Sequence, residues 1–134
     1  MVDCVFCKIA KKEIPAHIVF DDKETMAFLD AKPTSLGHTL VIPKTHAETL
    51  DKLNEEDLKS LTVAAQKISK AISKFSEGYN VIQNNKEVAG QIVHHVHFHI
   101  VPRKKGDGIY WNRPYPEFSE KQVKEIVEKI KKNV

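Results

Sequence analysis

The segment 93–101 constrains the fold more than any other part of the chain, because its side chains alternate between two chemical types. His95, His97 and His99 occupy every second position, and an apolar side chain follows each of them. Successive side chains of a β-strand point to opposite faces of the sheet. The segment therefore predicts a strand with three imidazoles on one face and apolar side chains on the other. His94 falls on the opposite face from these three histidines and is given no chemical role.

Two other segments carry apolar side chains at helical spacing. From Leu58 onward these side chains alternate three and four positions apart, which predicts a long helix with one apolar stripe. Asn54 is its expected N-cap and Gly78 is its expected stop. A second helix is expected from Ser119, because Gln122 follows three residues later in a capping-box arrangement. The apolar residues of this second helix are expected to pack on the sheet.

Short β-rich segments and turn residues predict the rest of the sheet. The run 38–42 is expected to end at Pro43, and the polar residues 21–24 are expected to join two strands as a hairpin. A short helix is expected around residues 4–12. The strands are expected at residues 17–20, 25–29, 38–42, 79–83 and 93–101. The sequence thus predicts one α+β domain over residues 1–134, with helices packed on a five-stranded sheet.

The composition is that of an ordinary soluble globular protein. The chain has 134 residues, of which 41% are hydrophobic and 29% charged, and its formal net charge of +3 is too small for a nucleic-acid coat. No specific nucleic acid is therefore expected as a partner. Because the N-terminus lacks a long apolar stretch, we expect no signal peptide and no membrane association, and we expect a cytoplasmic location.

Cys4 and Cys7 are the two cysteines of the chain. Cytosolic thiols are kept reduced, so this pair is better interpreted as half of a metal site or as a redox pair than as a structural disulfide. The three alternating histidines also allow two chemistries. Neutral imidazoles bind zinc, and an imidazole can also attack phosphorus to form a covalent intermediate. The spacing of the residues does not separate these alternatives.

Several motifs accompany the alternating histidines along most of the chain. They are Phe6-Cys7-Lys8-Ile9, Glu13-Ile14-Pro15, Phe28-Leu29-Asp30, residues 38–44, Gly90-Gln91 and the triad His95-Val96-His97-Phe98-His99. In order and spacing they resemble the histidine-triad (HIT) family of nucleotide-binding proteins. The resemblance is nearest to the phosphoramidase-like branch with a zinc-type CxxC pair. It implies a five-stranded antiparallel sheet with packed helices, and a symmetric homodimer in which two sheets join.

The resemblance implies chemistry at a nucleoside phosphate. It implies that His97, the central histidine, attacks the α-phosphorus to give a nucleotidyl-histidine intermediate, which water then cleaves. His99 matches the histidine that sits at the phosphate and assists the leaving group. An amine leaving group would make the protein a nucleoside phosphoramidase, and a phosphate would make it a dinucleoside polyphosphate hydrolase. The alternative from another class is a nucleotide-binding scaffold with little turnover.

The family's nucleotide contacts also have counterparts here, with a purine nucleotide or a nucleotidyl conjugate as the expected ligand. Asp30 matches an acid that binds the ribose, and its alternative role is a turn or cap at a strand end. Asn84 matches a polar contact to the bound group, and Gln91 is expected to touch phosphate or to shape its loop. The residues expected to form the base pocket, or alternatively to pack in the core, are Phe6, Ile9, Phe28 and Leu29.

The resemblance also supplies partners for the cysteine pair. In some members of the family the counterparts of Cys4 and Cys7 bind zinc together with those of His46 and His95. Two thiolates and two imidazoles suit a closed tetrahedral site, so Zn²⁺ is the expected structural cofactor and no organic cofactor is expected. A zinc-stabilised interaction module is a third alternative to the two enzymes and the scaffold.

A few positions depart from the family pattern or have no assigned role. Ile92 stands where relatives often have a serine that contacts phosphate, so that side-chain hydrogen bond is lost. His38 matches another histidine near the family's site, but a single histidine at a strand start is more often structural. The tail 103–116, which includes Arg103 and Trp111, is expected to contribute charge, shape or partner contacts.

Overall fold

The computed structural model describes residues 3–109 and 115–134, and Trp111 lies outside them. The elements along the chain are α1 (Val5–Ala10), β1 (Ile18–Asp21), β2 (Thr25–Leu29), β3 (Thr39–Pro43), α2 (Glu55–Ser73), β4 (Gly78–Gln83), β5 (Phe98–Arg103) and α3 (Glu120–Asn133). Short 3-10 turns occur at Leu50–Lys52 and Glu87–Ala89. Among these described residues, no helix has the length and apolar character needed to span a membrane.

The five strands form one sheet in the order β1-β2-β3-β5-β4, and every neighbouring pair is antiparallel. The strands β1 and β2 form the predicted hairpin, and β3 adds to β2 over five residue pairs. The prediction of an α+β fold with a five-stranded antiparallel sheet is therefore confirmed.

Two apolar clusters lie on opposite faces of this sheet. Ala27 pairs with Val41, and both belong to the cluster that α2 and α3 cover. Phe28 pairs with Leu40, and both belong to a second cluster that includes residues of α1. Consecutive residues of a strand alternate between faces, which explains this division. His99 pairs with Leu40, so its side chain lies on the α1 face.

Both long helices begin where the sequence predicts. The Asn54 side chain accepts a hydrogen bond from the Asp57 amide at the start of α2, and acidic residues fill the first turn. Ser119 and Gln122 form the predicted capping box at the start of α3. These caps satisfy amide groups that a helix cannot pair internally, so they place each start at a defined residue.

The end of α2 differs from the prediction. The helix ends at Ser73, and the amide of Ser76 donates to the carbonyl of Ile72 to close the last turn. Gly78 instead pairs with Arg103 as the first residue of β4. The prediction that Gly78 stops the helix is wrong, because this glycine is used in the sheet.

The fifth strand is shorter than the alternating pattern predicts. It begins at Phe98, so His99 is the one histidine of the triad that lies in the ladder. The neighbouring strand β4 ends opposite Phe98. Before this point the amide of Val96 donates to the carbonyl of Ala47 and not to a strand. The prediction of a strand is therefore wrong for residues 93–97, where the backbone pairs outside the sheet.

We expect Ile130 to be a main anchor of α3, because its side chain is fully buried between the helices and the sheet. Replacing Ile130 by alanine removes buried apolar atoms and leaves a cavity, so I130A should lower the free energy of unfolding by about 2–5 kcal/mol. Val63 lies on α2 and is 51% exposed, so V63A should change the free energy of unfolding by no more than about 0.5 kcal/mol. Urea denaturation of both variants measures the difference, and equal effects would contradict the packing described here.

Candidate active site and metal site

Two cysteines and two histidines meet at the start of α1. Cys4 is the N-cap of α1 and Cys7 lies one turn later, while His46 follows β3 and His95 precedes β5. The Sγ of Cys4 lies 3.4 Å from the Nδ1 of His95, and the Sγ of Cys7 lies 3.4 Å from the Nδ1 of His46. The two Nδ1 atoms are 3.1 Å apart. The four residues predicted as metal ligands are thus brought together.

The spacing and tautomers of this cluster fit a tetrahedral metal. Zinc bonds of about 2.0 Å to nitrogen and about 2.3 Å to sulfur separate neighbouring ligand atoms by about 3.3–3.8 Å. The Nε2 of His95 lies 2.8 Å from the Pro43 carbonyl and donates to it, which leaves the Nδ1 lone pair directed at the cysteines. An outward N–H donated to a backbone carbonyl is typical of metal-binding histidines. The residues present therefore fit a metal ion.

The electrostatics of the cluster agree with that fit. Burial lowers the pKa of His95 to about 4, so its imidazole is neutral and able to ligate. Burial raises the pKa of Cys7 to about 11, and the neighbouring Cys4 makes a smaller contribution in the same direction. A thiol in that environment ionises only beside a positive charge, and a bound cation supplies such a charge.

His97 is held by the main chain of the same segment. Its Nδ1 donates to the carbonyl of His95 over 2.6 Å, which leaves the lone pair on Nε2. The ring of Phe6 packs edge-on at 5.1 Å between centroids. Burial lowers the pKa of His97, which favours the neutral imidazole. Within the described residues, Nε2 has no hydrogen-bond partner, so His97 has the form of a nucleophile.

His99 lies beside His97, with ring centroids 4.8 Å apart. Its Nδ1 is 2.9 Å from the Nε2 of His38, a buried residue that directly precedes β3. The Nδ1 of His38 accepts the amide of Thr34 over 2.9 Å. Burial lowers the pKa of His38 and of His99 to about 4 each. Three neutral rings therefore stand side by side in this part of the site.

Asp30 lies at the end of β2, next to this row of rings. One carboxylate oxygen accepts the Lys32 amide over 2.9 Å, and the other is 3.5 Å from the Nε2 of His38. Burial raises the pKa of Asp30, although its side chain is still 22% exposed. Asp30, His38 and His99 are also close enough to hold a metal. The Thr34 amide occupies Nδ1 of His38, however, so Nε2 carries a hydrogen and is directed at Nδ1 of His99, which leaves no lone pair on His38 for a metal.

The predicted base-pocket residues divide between the two faces. Phe6, Ile9 and Phe28 are buried together in the cluster on the α1 face, and Phe6 packs edge-on against Phe28 with centroids 5.4 Å apart. Leu29 packs against the other cluster, which α2 and α3 cover. The structure thus brings three of the four residues to the face that carries His97 and His99.

Gln91 is almost fully buried and holds the loop between β4 and β5. Its Nε2 donates to the carbonyls of Glu48 and Val93, and its Oε1 accepts the amide of Lys86. This geometry favours loop shaping over phosphate contact, the two roles that the sequence left open. Asn84 lies in the same loop, and its amide is packed against Gly90, whose φ of +97° favours glycine.

Three contacts of the site carried no signal in the sequence. They are the carbonyl of Pro43, the carbonyl of His95 and the amide of Thr34, and each is a backbone group whose partner depends on the fold. Side-chain patterns could not have found them. His94 is exposed and lies 3.6 Å from the carboxylate of Glu48, away from the rings of the triad.

Comparison with known proteins places this geometry in a family. The HIT domain family matches residues 11–106. The adenosine 5′-monophosphoramidase of Schizosaccharomyces pombe is 40% identical over 136 residues, covering 99% of each chain. The crystal structure of a Hit-like protein from Bartonella henselae has a TM-score of 0.88 at 36% identity, covering 98% of this chain and 96% of that one. A Zn-bound histidine triad family protein from Mycobacterium smegmatis has a TM-score of 0.86 at 32% identity, covering 98% and 92%.

These matches span most of the chain in sequence and in structure, and they agree with the triad geometry described above. This chain belongs to the HIT family.

Proposed function

We propose that this protein is a hydrolase or nucleotidyl transferase that acts at the α-phosphate of nucleoside phosphoramidates or related nucleotidyl conjugates. The observation that carries the proposal is the hydrogen bond from Nδ1 of His97 to the His95 carbonyl, because it leaves Nε2 as an available nucleophile. Relatives named adenosine 5′-monophosphoramidase in Schizosaccharomyces pombe and Saccharomyces cerevisiae support the amine as leaving group.

The proposed reaction has two displacements at phosphorus. In the first, a bond forms between Nε2 of His97 and the α-phosphorus while the bond from phosphorus to the leaving nitrogen breaks, and that nitrogen takes up one proton. In the second, water attacks phosphorus, the bond to His97 breaks and one proton is released. The cycle yields the nucleoside monophosphate and restores the neutral imidazole. His99 is close enough to His97 to assist the leaving group.

The nucleotide is proposed to lie across the α1 face. The carboxylate of Asp30 is partly exposed and would accept hydrogen bonds from the ribose hydroxyls. Asn84 would contact the phosphate side of the site, and Gln91 would hold the shape of the loop that carries Asn84. The apolar surface of Phe6, Ile9 and Phe28 would receive a base, with a purine as the expected ligand. Leu29 packs on the opposite face of the sheet and is therefore left out of the proposed base pocket.

The H97N variant tests this proposal with an adenosine phosphoramidate. Wild-type protein should release AMP and form an adenylylated protein that mass spectrometry detects, whereas H97N should release AMP more than about 10³-fold more slowly because the nucleophile is missing. H94N is the matched control, since His94 is exposed and outside the triad cluster, and it should keep wild-type activity.

Two results would contradict the phosphoramidase proposal in different ways. Cleavage of a dinucleoside polyphosphate without cleavage of the phosphoramidate would favour phosphate as the leaving group. Binding of AMP by wild-type protein without any product would favour a nucleotide-binding scaffold.

We further propose that Cys4, Cys7, His46 and His95 bind Zn²⁺. Their distances and the outward N–H of His95 support the site, as does the Zn-bound relative from Mycobacterium smegmatis. Four protein ligands leave no open coordination position, so the metal would brace the N-terminal helix against the segment that carries His97. A cytoplasmic location, which we also propose, would keep both thiols reduced and able to bind.

Metal analysis of the purified protein checks the zinc site. Wild-type protein should hold one zinc ion per chain and should melt at a lower temperature after chelation, because metal binding stabilises the folded state. C7S should lose most of this zinc, and the control H94A should retain it. Retention of stoichiometric zinc by C7S would contradict the proposed ligand set.

We propose a symmetric homodimer that forms through β4. This edge strand carries no charged residue, and its Tyr79 and Val81 are 41% and 50% exposed. An unprotected apolar edge is an available template for pairing with another strand. The opposite edge, β1, is packed by α3 and carries the ion-paired Asp21. A second copy of the chain is therefore expected at β4 and not at β1.

A charge placed on β4 tests the dimer. V81K should shift the mass measured by light scattering from two chains toward one, because a lysine at a strand edge opposes pairing. V63K is the matched control, since Val63 is equally exposed but lies on α2, and it should leave the mass unchanged. A wild-type protein that is monomeric at micromolar concentration would contradict the proposal.

A further inference from the structure

The hydrogen bonds around His38 assign a role to a residue outside the triad. We propose that His38 is a positioning residue that fixes the tautomer of His99, so that His99 presents an N–H and not a lone pair to the departing group. This inference rests on the proposed function and concerns the same site. It explains what a buried histidine does beside the rings of His97 and His99.

The argument begins at the backbone amide of Thr34. An amide can only donate, and it points at Nδ1 of His38 over 2.9 Å. Nδ1 must therefore carry the lone pair. A neutral imidazole has a hydrogen on one nitrogen and a lone pair on the other, so Nε2 of His38 carries the hydrogen. The main chain thus selects one of the two tautomers of His38.

The selected tautomer then determines the state of His99. The hydrogen on Nε2 of His38 points at Nδ1 of His99 over 2.9 Å, so this Nδ1 must accept and carries the lone pair. The remaining nitrogen of His99, Nε2, therefore carries the hydrogen. No hydrogen bond occupies it within residues 3–109 and 115–134, which leaves the N–H available to a ligand.

The hydrogen-bond partners of His38 and His99 disfavour a second proton on either ring. A second proton on His38 would be on Nδ1 and would face the amide hydrogen of Thr34 at hydrogen-bonding distance. A second proton on His99 would be on Nδ1 and would face the hydrogen on His38. The carboxylate of Asp30 lies 3.5 Å from Nε2 of His38, and a negative charge at that position also favours a hydrogen on this nitrogen. Burial of both rings also favours neutral forms.

His97 and His99 are therefore opposite tautomers. His97 donates through Nδ1 and offers a lone pair at Nε2, whereas His99 accepts through Nδ1 and offers a hydrogen at Nε2. A lone pair suits attack on phosphorus, and an N–H suits an atom on which negative charge develops as it leaves. Two identical side chains can thus serve opposite ends of one displacement.

Two amide variants of His38 separate this role from general support of the site. In H38Q, the amide Nε2 reaches the position of the ring Nε2 and keeps a donor toward His99. In H38N, the amide oxygen still accepts the Thr34 amide, but the side chain is too short to reach His99. Both variants bury a polar amide, so the cost of burial is matched.

Kinetics should be compared on two AMP derivatives that differ in the leaving group. With an alkylamine phosphoramidate, whose nitrogen must gain a hydrogen, H38N should lower kcat by roughly 10²-fold, and H38Q should remain within about fivefold of wild type. With the p-nitrophenyl ester, whose phenolate leaves without a proton, H38N should lower kcat by no more than about threefold. Equal losses of H38N on both substrates would overturn the proposal.

Nitrogen-15 NMR of histidine-labelled protein reports the tautomer of His99 directly, and the decisive result comes from the wild type alone. His99 should show a protonated Nε2 and an unprotonated Nδ1, and H38N should show a mixture of both tautomers. A protonated Nδ1 on His99 of the wild type would overturn the proposal, even if H38N does not fold. This measurement also does not depend on turnover, whereas failure of the wild type to release AMP would contradict the proposed function.

Discussion

The pairing of β3 with β5 is the contact on which the rest of this structure depends. Three residue pairs, from Thr39 with Ile100 to Val41 with Phe98, join the β1-β2-β3 half of the sheet to the β4-β5 half. They place apolar residues under α2 and His99 on the opposite face, because neighbouring residues of a strand point to opposite sides. The ladder stops at Phe98, and the backbone that precedes it leaves the sheet. The short strand therefore separates the three histidines into different surroundings.

His95 links the cysteine pair to His97 through its two ring nitrogens and its backbone carbonyl. Its Nδ1 faces the cysteines, its Nε2 donates to the carbonyl of Pro43, and its own carbonyl accepts from His97. Movement of this one residue would alter both the cluster of two cysteines and two histidines and the orientation of the His97 ring. The first and second histidines of the motif thus hold different positions because one main-chain carbonyl lies between them, and strand alternation alone does not explain the arrangement.

Local chemistry made part of this molecule predictable. The caps at Asn54 and Ser119 and the two faces around His99 follow from side-chain type and spacing. The grouping of the four metal ligands was expected only from the resemblance to a family, because spacing did not identify the histidines that join the cysteine pair. The use of Gly78 in a strand and the late start of β5 do not, because both depend on which backbone groups pair across the fold. The same limit applies to the tautomers of the histidines, because a backbone amide or carbonyl selects each of them. Every residue has such backbone groups, so the sequence does not show which of them contacts a histidine.

The separation of the two apolar clusters by the sheet has a consequence for how this protein can change. Among the residues that the structure describes, the cluster beneath α2 and α3 shares no buried residue with the cluster around α1, where the rings of the site lie. Distant substitutions without shared partners combine additively. We therefore expect that substitutions in the helical layer can raise thermal tolerance with little effect on the layer that carries the triad. Such gains can offset destabilising changes in the other layer.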